Sequence, residues 1–311
     1  MKKIFFPRLF QLLSVIWGVG TLTFILMRAL PGDMAYRIAA SRYGQDNVSS
    51  DAADLVRQEL NLDQGAFVAY FSWLKELLQG NLGRSLVSDE PVWQILQHML
   101  GHSLMLASVA LLLSFFIAIP LGLLGATFGK KVDQGIVVFS TAVRAMPVFV
   151  VGLIFILVFS IHWNWLPVAG FGSPEHIVLP ALSLAFTLAA ISNRVVRSAA
   201  IKAFHAPFYR FAQIKGLSSG RTFLRHGTRH IALPVVAFLG IQLVGMIEGI
   251  VMIESLFSWP GIGHGLAHAI FARDIPVIQG AALLMGILFV VLNTLVDLIC
   301  YRLDPRVRSQ G

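Results

Sequence analysis

The sequence predicts an all-α integral membrane protein with six transmembrane helices, and three observations support this fold class. Hydrophobic residues make up 56% of the 311 residues, and charged residues only 13%. A chain with so few charges cannot cover itself with polar groups, which excludes a water-exposed globule. The other two observations are the length of the apolar runs and the uneven distribution of basic residues between them.

Six apolar runs are long enough to cross a bilayer core of about 30 Å as helices that rise about 1.5 Å per residue. They lie at residues 9–27, 103–128, 136–161, 177–191, 233–254 and 279–300. A cleavable signal peptide is the alternative for the first run, because Lys2, Lys3 and Arg8 precede it. We favour a retained helix, since the run is longer than a signal core of about 7 to 15 residues and no convincing cleavage site follows.

The basic residues indicate how the spans are oriented, since cytoplasmic flanks retain Lys and Arg. With the N-terminus inside, sixteen of the 24 bases and only two acids fall in the cytoplasmic regions. The segment at 28–102 then lies outside, with nine acids against six bases. We therefore expect a multi-pass protein of the cell (inner) membrane with both termini in the cytoplasm. The net charge of +8 reflects this orientation rather than an affinity for nucleic acid.

The external segment has a helical pattern, because apolar residues recur in it at three- and four-residue spacing. The pattern comprises Leu55, Leu62, Phe67, Tyr70, Phe71, Leu74, Leu77 and Leu78, with the charged Glu59 at the same spacing. Glycine-containing stretches at 44–50 and 80–88 separate the predicted helices. A small helical cap on the external face and a spacer packed on the span ends are both compatible with this pattern.

The turn after the fifth span, at 253–264, is rich in Gly and Pro. Irregular backbone at this depth is tolerated only where protein buries it or water reaches it. Phe257 and Trp259 in this turn, with Trp163 and Trp165 after the third span, are expected to lie at the outer membrane interface. Amphipathic rings prefer that position, so we predict that all four are interface anchors.

The most informative segment is the cytoplasmic loop at 194–232, which carries eight of the sixteen cytoplasmic bases. Pro207 can open a short helix at its first position, and Gly216 is well placed to end it. One face of this helix is predicted to carry Phe208, Phe211, Ala212 and Lys215. Apolar anchors with no core of their own can dock into a groove on a soluble partner. A basic amphipathic loop lying on anionic lipid stays the alternative.

Short motifs occur in order along nearly the whole chain. They are Pro31-Gly32-Asp33, Gly83-Arg84-Ser85, Met146-Pro147, Glu254-Ser-Leu-Phe-Ser-Trp-Pro-Gly261, Arg273-Asp274, Pro276-Val277-Ile278-Gln279, Asn293, Asp297 and Leu303-Asp304-Pro305-Arg306. The cytoplasmic loop adds Ala212, Gly216 and Leu217, then Arg225, His226, Arg229 and Leu233-Pro234. With these motifs the chain resembles an integral-membrane permease subunit of a bacterial ABC importer of the peptide/nickel class, in which the loop is the coupling loop, or EAA loop.

The resemblance implies the type I permease fold of ABC importers. It also implies a second homologous permease subunit, cytoplasmic ABC ATPase subunits and an external substrate-binding protein as partners. Coupling to the ATPases is assigned to Tyr209, Arg210, Phe211, Ala212, Lys215, Gly216, Leu217 and Arg225. The chain departs from the family pattern in three places: Arg210-Phe211 replaces the Glu-Ala that names the loop, and Met34 and Gly65 stand where proline is usual. The first departure is common in this subclass and leaves the coupling assignment intact.

Ionisable residues inside the spans mark a candidate translocation path, because each costs free energy in lipid and usually faces protein or water. Glu248 in the fifth span is such a residue, and Arg144 in the third span can supply a counter-charge. Pro147 is expected to bend the third span and Pro120 the second. A structural pair of Arg144 and Glu248 away from any path stays open.

No catalytic site and no cofactor are predicted. The nearest approach to a phosphate loop, Gly125-Ala-Thr-Phe-Gly129-Lys130-Lys131, has the wrong glycine spacing, so ATP hydrolysis must take place on another polypeptide. Gly216-Leu-Ser218-Ser-Gly220 matches the G-x-S-x-G nucleophile elbow, but it lies in a turn beside a helix rather than between a strand and a helix.

No metal site is predicted either. Three histidine pairs have the i,i+4 spacing that can bind a divalent metal on one helical face: His98/His102, His226/His230 and His264/His268. None has the glutamate of H-E-x-x-H, and structural or solvated histidines are the favoured interpretation. A single cysteine, Cys300, excludes a cysteine cluster.

We therefore expect a non-catalytic permease that translocates small peptides across the cytoplasmic membrane by alternating access powered by partner ATPases. A nickel or metal-chelate importer is the first alternative, and a secondary transporter or channel working without ATPases is the second. The predicted domains are 1–28, the N-terminus and first transmembrane helix; 29–102, the external helical segment; and 103–311, a five-helix core with the coupling loop at 194–232. Substrate identity stays open, because selection would lie largely in the binding protein.

Overall fold

The computed structural model describes residues 2–29, 32–44, 48–59 and 65–303, and every regular element in those ranges is helical. The α-helices are α1 (Lys2–Ala29), α2 (Met34–Tyr43), α3 (Ser50–Glu59), α4 (Ala66–Leu78), α5 (Val92–Thr127), α6 (Lys130–Ala145), α7 (Val148–Phe155), α8 (Val178–Phe204), α9 (Pro207–Ile214), α10 (Ser219–Thr222), α11 (Thr228–Leu256), α12 (Ile262–Ala272) and α13 (Ile275–Leu303). A π-helical segment, Ile156–His162, continues α7, and another, Phe223–Gly227, leads from α10 into α11. A 3-10 turn at Pro174–Ile177 precedes α8.

Among the described residues, four helical stretches are long and apolar enough to cross a membrane without a break. They belong to α1, α5, α8 with its 3-10 turn, and α13. Two further apolar segments are bent pairs, Lys130–Ala145 with Val148–His162 and Ser219–Leu243 with Gly245–Leu256. Counting each bent pair as one span gives six, in the order that the sequence predicts. The all-α membrane fold class is therefore confirmed.

The third span is sharply bent at Met146-Pro147, where α6 and α7 differ in direction by 102°. Proline removes a backbone donor and clashes with the preceding turn, and the residue before it is pushed to extended backbone. Met146 accordingly has φ −93° and ψ 135°. The predicted bend at Pro147 is confirmed, whereas α5 continues unbroken through Pro120. The bend of 42° in the fifth span falls between Leu243 and Gly245.

The chain divides into two compact units. The first comprises Met1–His102 and Pro260–Val290, and the second comprises Ser103–Trp259 and Val291–Gly311. The core of the first unit includes Met27, Val92, Leu96, Ile262, Val277 and Ala281. Cores of the second unit include Leu106, Leu179, Leu184, Met246 and Ile253, and separately Val196, Ala200, Ile231 and Val235.

The external segment contains the helices α2, α3 and α4, as its pattern predicts, and the described stretch at 79–91 is non-helical; Leu62 lies outside the described residues. Two aromatic residues pack α4 on α1. The Tyr70 hydroxyl lies 2.9 Å from the Thr21 hydroxyl, which makes a hydrogen bond between the two helices. Trp73 lies so close to Gly20 that a Cβ at that glycine would be 2.6 Å from the ring. The first unit therefore holds this helix through specific contacts.

The turn after α11 is buried by protein, in agreement with the expectation for irregular backbone. The Ser103 hydroxyl donates a hydrogen bond to the Glu254 carboxylate at 2.6 Å, and both residues are buried. The Gly170 amide donates to the Phe257 carbonyl at 2.8 Å. The turn is thus fixed by polar contacts to two other parts of the second unit.

The four predicted interface anchors divide into two kinds. Trp163 and Trp165 are exposed, as an anchor requires. Phe257 and Trp259 are each only 1% exposed and belong to the core of the second unit, so their prediction as interface anchors is wrong. The physical reason is that the turn folds back on the bundle, and the Trp259 ring packs edge-on against Phe171 at a centroid distance of 5.2 Å.

Candidate functional site

The loop between α8 and α11 contains the short helix α9. Pro207 occupies its first position, where the missing N–H would have no partner within the helix. At the other end the Leu217 amide donates to the Ala212 carbonyl at 3.2 Å, and the Gly216 amide donates to the Gln213 carbonyl at 2.9 Å. These two bonds form a Schellman cap, with Gly216 at φ +88°. Both predicted ends of this helix are therefore confirmed.

The inner face of α9 is fixed by aromatic packing. Tyr209 is buried, and its ring centroid lies 5.4 Å from that of Phe204 at the end of α8. Phe204 in turn lies 6.2 Å from Phe223. Gly227 completes the cluster, since a Cβ there would lie 3.1 Å from Phe223 and 3.5 Å from Tyr209. The cluster braces α9 against the end of α8 and the segment that leads into α11.

The outer face of α9 is apolar and exposed. It carries the three large side chains Phe208, Phe211 and Ile214, of which the last is 82% exposed. Ala212, which the sequence predicts on the same face as Phe208 and Phe211, is instead buried beside Tyr209. The packing of Tyr209 against α8 determines which face of this short helix is buried. Sequence spacing predicts which residues share a face, but it does not predict which face turns inward. The exposed stripe is the kind of surface that docks into a groove.

Basic side chains surround this apolar face. Arg210, Lys215 and Arg225 are exposed, and none of the three forms an ion pair in the described ranges. The Lys215 ammonium lies 4.7 Å from the centre of the Phe211 ring, which is a cation–π contact. Arg225 also lines a cleft of about 640 Å³, together with Phe208, His226, Arg229, His230, Leu233 and Pro234. The loop therefore offers an apolar centre with a positively charged rim.

A charged cluster joins α6 to α8. Asp133 in the first turn of α6 accepts a hydrogen bond from the Arg194 guanidinium at 2.9 Å, and Arg197 Nε lies 2.5 Å from the same oxygen. A Cβ at Gly125, near the end of α5, would lie 3.2 Å from that carboxylate. Sequence reasoning did not identify this cluster. The available signal was that Asp133 is one of only two acids in the predicted cytoplasmic regions.

A cavity of about 350 Å³ lies among α7, α8 and α11 in the second unit. Its walls are mainly apolar and include Val148, Leu184, Leu188, Ile191, Phe238, Ile241 and Met246, with the polar side chains Thr187 and Gln242. Gln242 donates to the Leu188 carbonyl at 3.1 Å, which fixes its amide. Gly245 also lines the cavity, and a Cβ there would meet nothing within 4 Å. The second unit therefore has a partly open, mainly apolar cavity beside the bend in α11.

The three predicted path residues differ in their positions relative to this cavity. Pro147 directly precedes Val148, which lines it. Arg144 lies in the last turn of α6 and is exposed. Glu248 has its backbone in α11, one residue before the cavity-lining Gly249, but its side chain lies outside the described atoms. The pairing of Arg144 with Glu248 stays a prediction.

Three of the short sequence motifs meet in the first unit. Ser85 donates a hydrogen bond to the Asp274 carboxylate, and the Leu86 amide donates to its other oxygen at 3.1 Å. Arg273 has left-handed backbone, with φ +56°, and donates to the Gly32 carbonyl at 3.3 Å. These motif residues therefore hold the external segment to the turn between α12 and α13.

Comparison with known families gives the assignment that this geometry suggests. Residues 118–309 match the family model described as "Binding-protein-dependent transport system inner membrane component". The chain belongs to this family. It is accordingly a multi-pass, non-catalytic permease subunit of an ABC importer, and hydrolysis takes place on a partner ATPase. The alternative of a secondary transporter or channel is excluded by this membership.

Relatives match along almost the whole length. "Probable peptide ABC transporter permease protein y4tP" of Sinorhizobium fredii is 33% identical over 310 residues, with 97% of each chain covered. "Glutathione transport system permease protein GsiC" of Escherichia coli (strain K12) is 30% identical over 302 residues, again with 97% of each chain covered.

A solved structure is similar in fold. The "Crystal structure of an amino acid ABC transporter with histidines" superposes with a TM-score of 0.54 at 13% identity. The match covers 67% of this permease and 94% of that chain. At this identity the likeness shows the fold alone, and it confirms the expected type I permease fold.

Proposed function

We propose that this ABC importer permease translocates small peptides across the cytoplasmic membrane by alternating access. The support for peptides is that two relatives covering 97% of the chain are named for peptide and glutathione transport. Glutathione is itself a tripeptide, so both names describe one chemical class. A nickel or metal-chelate substrate stays the alternative.

The observation that carries the proposed coupling is an apolar face exposed on a helix whose opposite face is fixed. The exposed face of α9 would sit in a groove of a cytoplasmic ABC ATPase, with Phe211 at its centre. Arg210, Lys215 and Arg225 would make rim contacts, where exposed charges set orientation and association rate. Tyr209, Ala212, Gly216 and Leu217 act differently: they hold the helix in place and are covered or capped by their own chain.

Motion of the ATPase would reach the membrane through the aromatic cluster of Phe204, Tyr209 and Phe223. Because these rings pack α9 against the end of α8 and the segment that leads into α11, a displacement of α9 would move both helices together. Both helices line the apolar cavity, so their movement changes its walls. Pro147, Arg144 and Glu248 remain the proposed residues of the path, and the Asp133 cluster would carry the motion to α6.

The proposed orientation places both termini and the loop at 194–232 in the cytoplasm, and the external segment at 29–102 outside. Sixteen bases and two acids fall on the proposed cytoplasmic side, which supports it. A substrate-binding protein would deliver cargo to the outer side, and a second homologous permease would complete the path. Residues 1–28 would form the first transmembrane helix and 103–311 the five-helix core.

The coupling proposal is tested at Gly216. Gly216→Leu should abolish both peptide uptake and copurification of the ATPase, since a side chain at φ +88° is strained and disrupts the Schellman cap. Gly220→Ala is the matched control: it lies in the same loop, a Cβ there meets nothing within 4 Å, and its φ is not positive. Uptake of labelled dipeptide and glutathione by proteoliposomes holding the full importer measures transport. Normal uptake with an intact complex in Gly216→Leu would refute the coupling proposal.

The substrate is tested separately, through the external binding protein. Mass spectrometry of the ligand that copurifies with it should find a small peptide. A metal chelate without peptide would favour the nickel alternative and leave the coupling proposal untouched.

A further inference from the structure

Two of the three i,i+4 histidine pairs have converging rings. In α5 the Nε2 atoms of His98 and His102 lie 3.3 Å apart, with ring centroids at 4.7 Å. In α12 the rings of His264 and His268 have centroids 4.5 Å apart and an interplanar angle of 74°. A regular α-helix places residues four apart on one face, which brings these rings together. Both pairs belong to the first unit.

The third pair shows that the spacing alone does not produce this arrangement. His226 lies in the π-helical segment Phe223–Gly227, and His230 lies in the first turn of α11. The His230 ring instead contacts Phe208 at a centroid distance of 5.2 Å. Nothing in the described part of this loop brings the His226 and His230 rings into contact.

The geometry of the α5 pair fits a bound ion. Two nitrogens at about 2.05 Å from a metal, separated by a tetrahedral angle, lie about 3.3 Å from each other. The observed separation of the His98 and His102 nitrogens is 3.3 Å. One ring of each pair is exposed and the other is half-buried, so one imidazole is held in place while its neighbour stays open to solvent.

The two helices are also fixed against each other beside the pairs. Met99 follows His98, Gly265 follows His264, and these two residues pack so closely that a Cβ at Gly265 would lie 2.3 Å from the Met99 terminal carbon. Each pair therefore lies on a helix that is packed against the helix carrying the other pair.

We propose that His98 with His102, and His264 with His268, each hold one borderline divalent cation such as Zn²⁺, Ni²⁺ or Cu²⁺ through two imidazole nitrogens. Imidazole suits these ions, whereas Mg²⁺ requires oxygen ligands. In the described ranges no group of three or more His, Cys, Asp or Glu side chains is placed to hold an ion. The remaining coordination positions would therefore be filled by water or by donor atoms of arriving cargo. Such open sites exchange their ion, unlike closed structural sites. The proposal does not depend on the peptide substrate.

The test is a Zn²⁺ titration of the full importer in nanodiscs, prepared without a histidine tag and stripped with a chelator. We compare the wild type, His98→Gln with His102→Gln, His264→Gln with His268→Gln, and all four changes together. Each double variant should lose one bound Zn²⁺ per permease and the quadruple variant two, and Mg²⁺ should bind to none of these sites. His226→Gln with His230→Gln is the matched control, which should keep both ions.

An unchanged Zn²⁺ stoichiometry in the quadruple variant would overturn the proposal, and so would an equal loss in the control. A second measurement needs no variant. Zn²⁺ should protect His98, His102, His264 and His268 of the wild-type importer from diethyl pyrocarbonate, read by mass spectrometry, while the exposed His162 stays reactive. Absence of that selective protection would overturn the proposal even if a variant failed to fold.

Discussion

The coupling loop and the external segment are held in opposite ways. The loop is anchored by aromatic packing and a backbone cap, and it leaves apolar and basic side chains exposed. The external segment closes on itself through charged and polar contacts. They include Arg57 with Asp33 at 2.7 Å and Arg42 with Glu59 at 2.8 Å, and Ser85 joins the segment to Asp274 in the turn between α12 and α13. The two regions therefore differ in what fixes them, ring packing in the loop and ion pairs with hydrogen bonds in the external segment, while both leave apolar side chains exposed.

The largest expected effect is that of Asp274→Ala in the first unit. Asp274 is buried and accepts hydrogen bonds from the Ser85 hydroxyl and the Leu86 amide. Its loss leaves buried donors without an acceptor, so the free energy of unfolding should fall by about 3 kcal/mol. Denaturation in bicelles, with amide exchange at residues 82–90, measures this. Asp54→Asn, whose ion pair with Arg57 is exposed, should change it by no more than about 0.5 kcal/mol. Similar effects of the two changes would contradict the comparison.

A smaller effect, on binding rather than folding, is expected for Phe211→Ala. The side chain is 57% exposed, so stability should hardly change. Affinity for the ATPase should fall about tenfold, which corresponds to about 1.4 kcal/mol for an apolar anchor lost from a groove. Titration of labelled ATPase onto permease nanodiscs measures it. The control is Phe71→Ala in α4, where the same ring is 62% exposed in the external segment. If Phe71→Ala weakened the complex as much as Phe211→Ala, the exposed face of α9 would not be the docking surface.

The smallest effect is that of Asp33→Ala at the start of α2. Asp33 accepts a hydrogen bond from the Ala35 amide, and loss of such a cap costs about 1 kcal/mol. Burial raises the pKa of Asp33, but Arg57 and the backbone amides outweigh it and leave the pKa below its ordinary value of 3.8. A lowered carboxyl pKa stabilises the fold above the ordinary value, and that contribution is lost as the pH falls through the folded-state pKa.

The stability difference between wild type and Asp33→Ala should therefore be constant near neutral pH and shrink below about pH 4. Denaturation curves at several pH values measure it. A difference that did not change with pH would mean that the carboxylate charge of Asp33 plays no part.

The helices and their order could be predicted because they depend on local properties of the chain. Run length predicts the spans, Pro207 and Gly216 bound α9, and Pro147 predicts the bend of the third span. In the candidate site, the same local signals predict the short helix of the proposed coupling loop. They do not identify which of its residues face outward.

The remaining features depend on contacts between distant residues, which periodicity does not specify. Asp274 meets Leu86 across 188 positions, and Asp133 meets Arg194 across 61. Tryptophan is a residue type typical of interface anchors, yet Trp259 is buried because the turn that carries it folds back on the bundle. For the histidine pairs the deciding factor is side-chain packing, since the His230 ring packs on Phe208 whereas the rings of the other two pairs contact each other.

The 102° bend at Met146-Pro147 also limits the thickness of hydrocarbon that the part of the third span beyond the bend can cross. Beyond the bend, α7 and its π-helical continuation contain eight and seven residues. At about 1.5 Å per residue they reach at most about 23 Å, which is short of a bilayer core of about 30 Å. A transmembrane segment shorter than the bilayer core can make the bilayer thin around it, at a cost of a fraction of a kcal/mol per Å of mismatch. We therefore expect the third span to be sensitive to the thickness of the surrounding membrane.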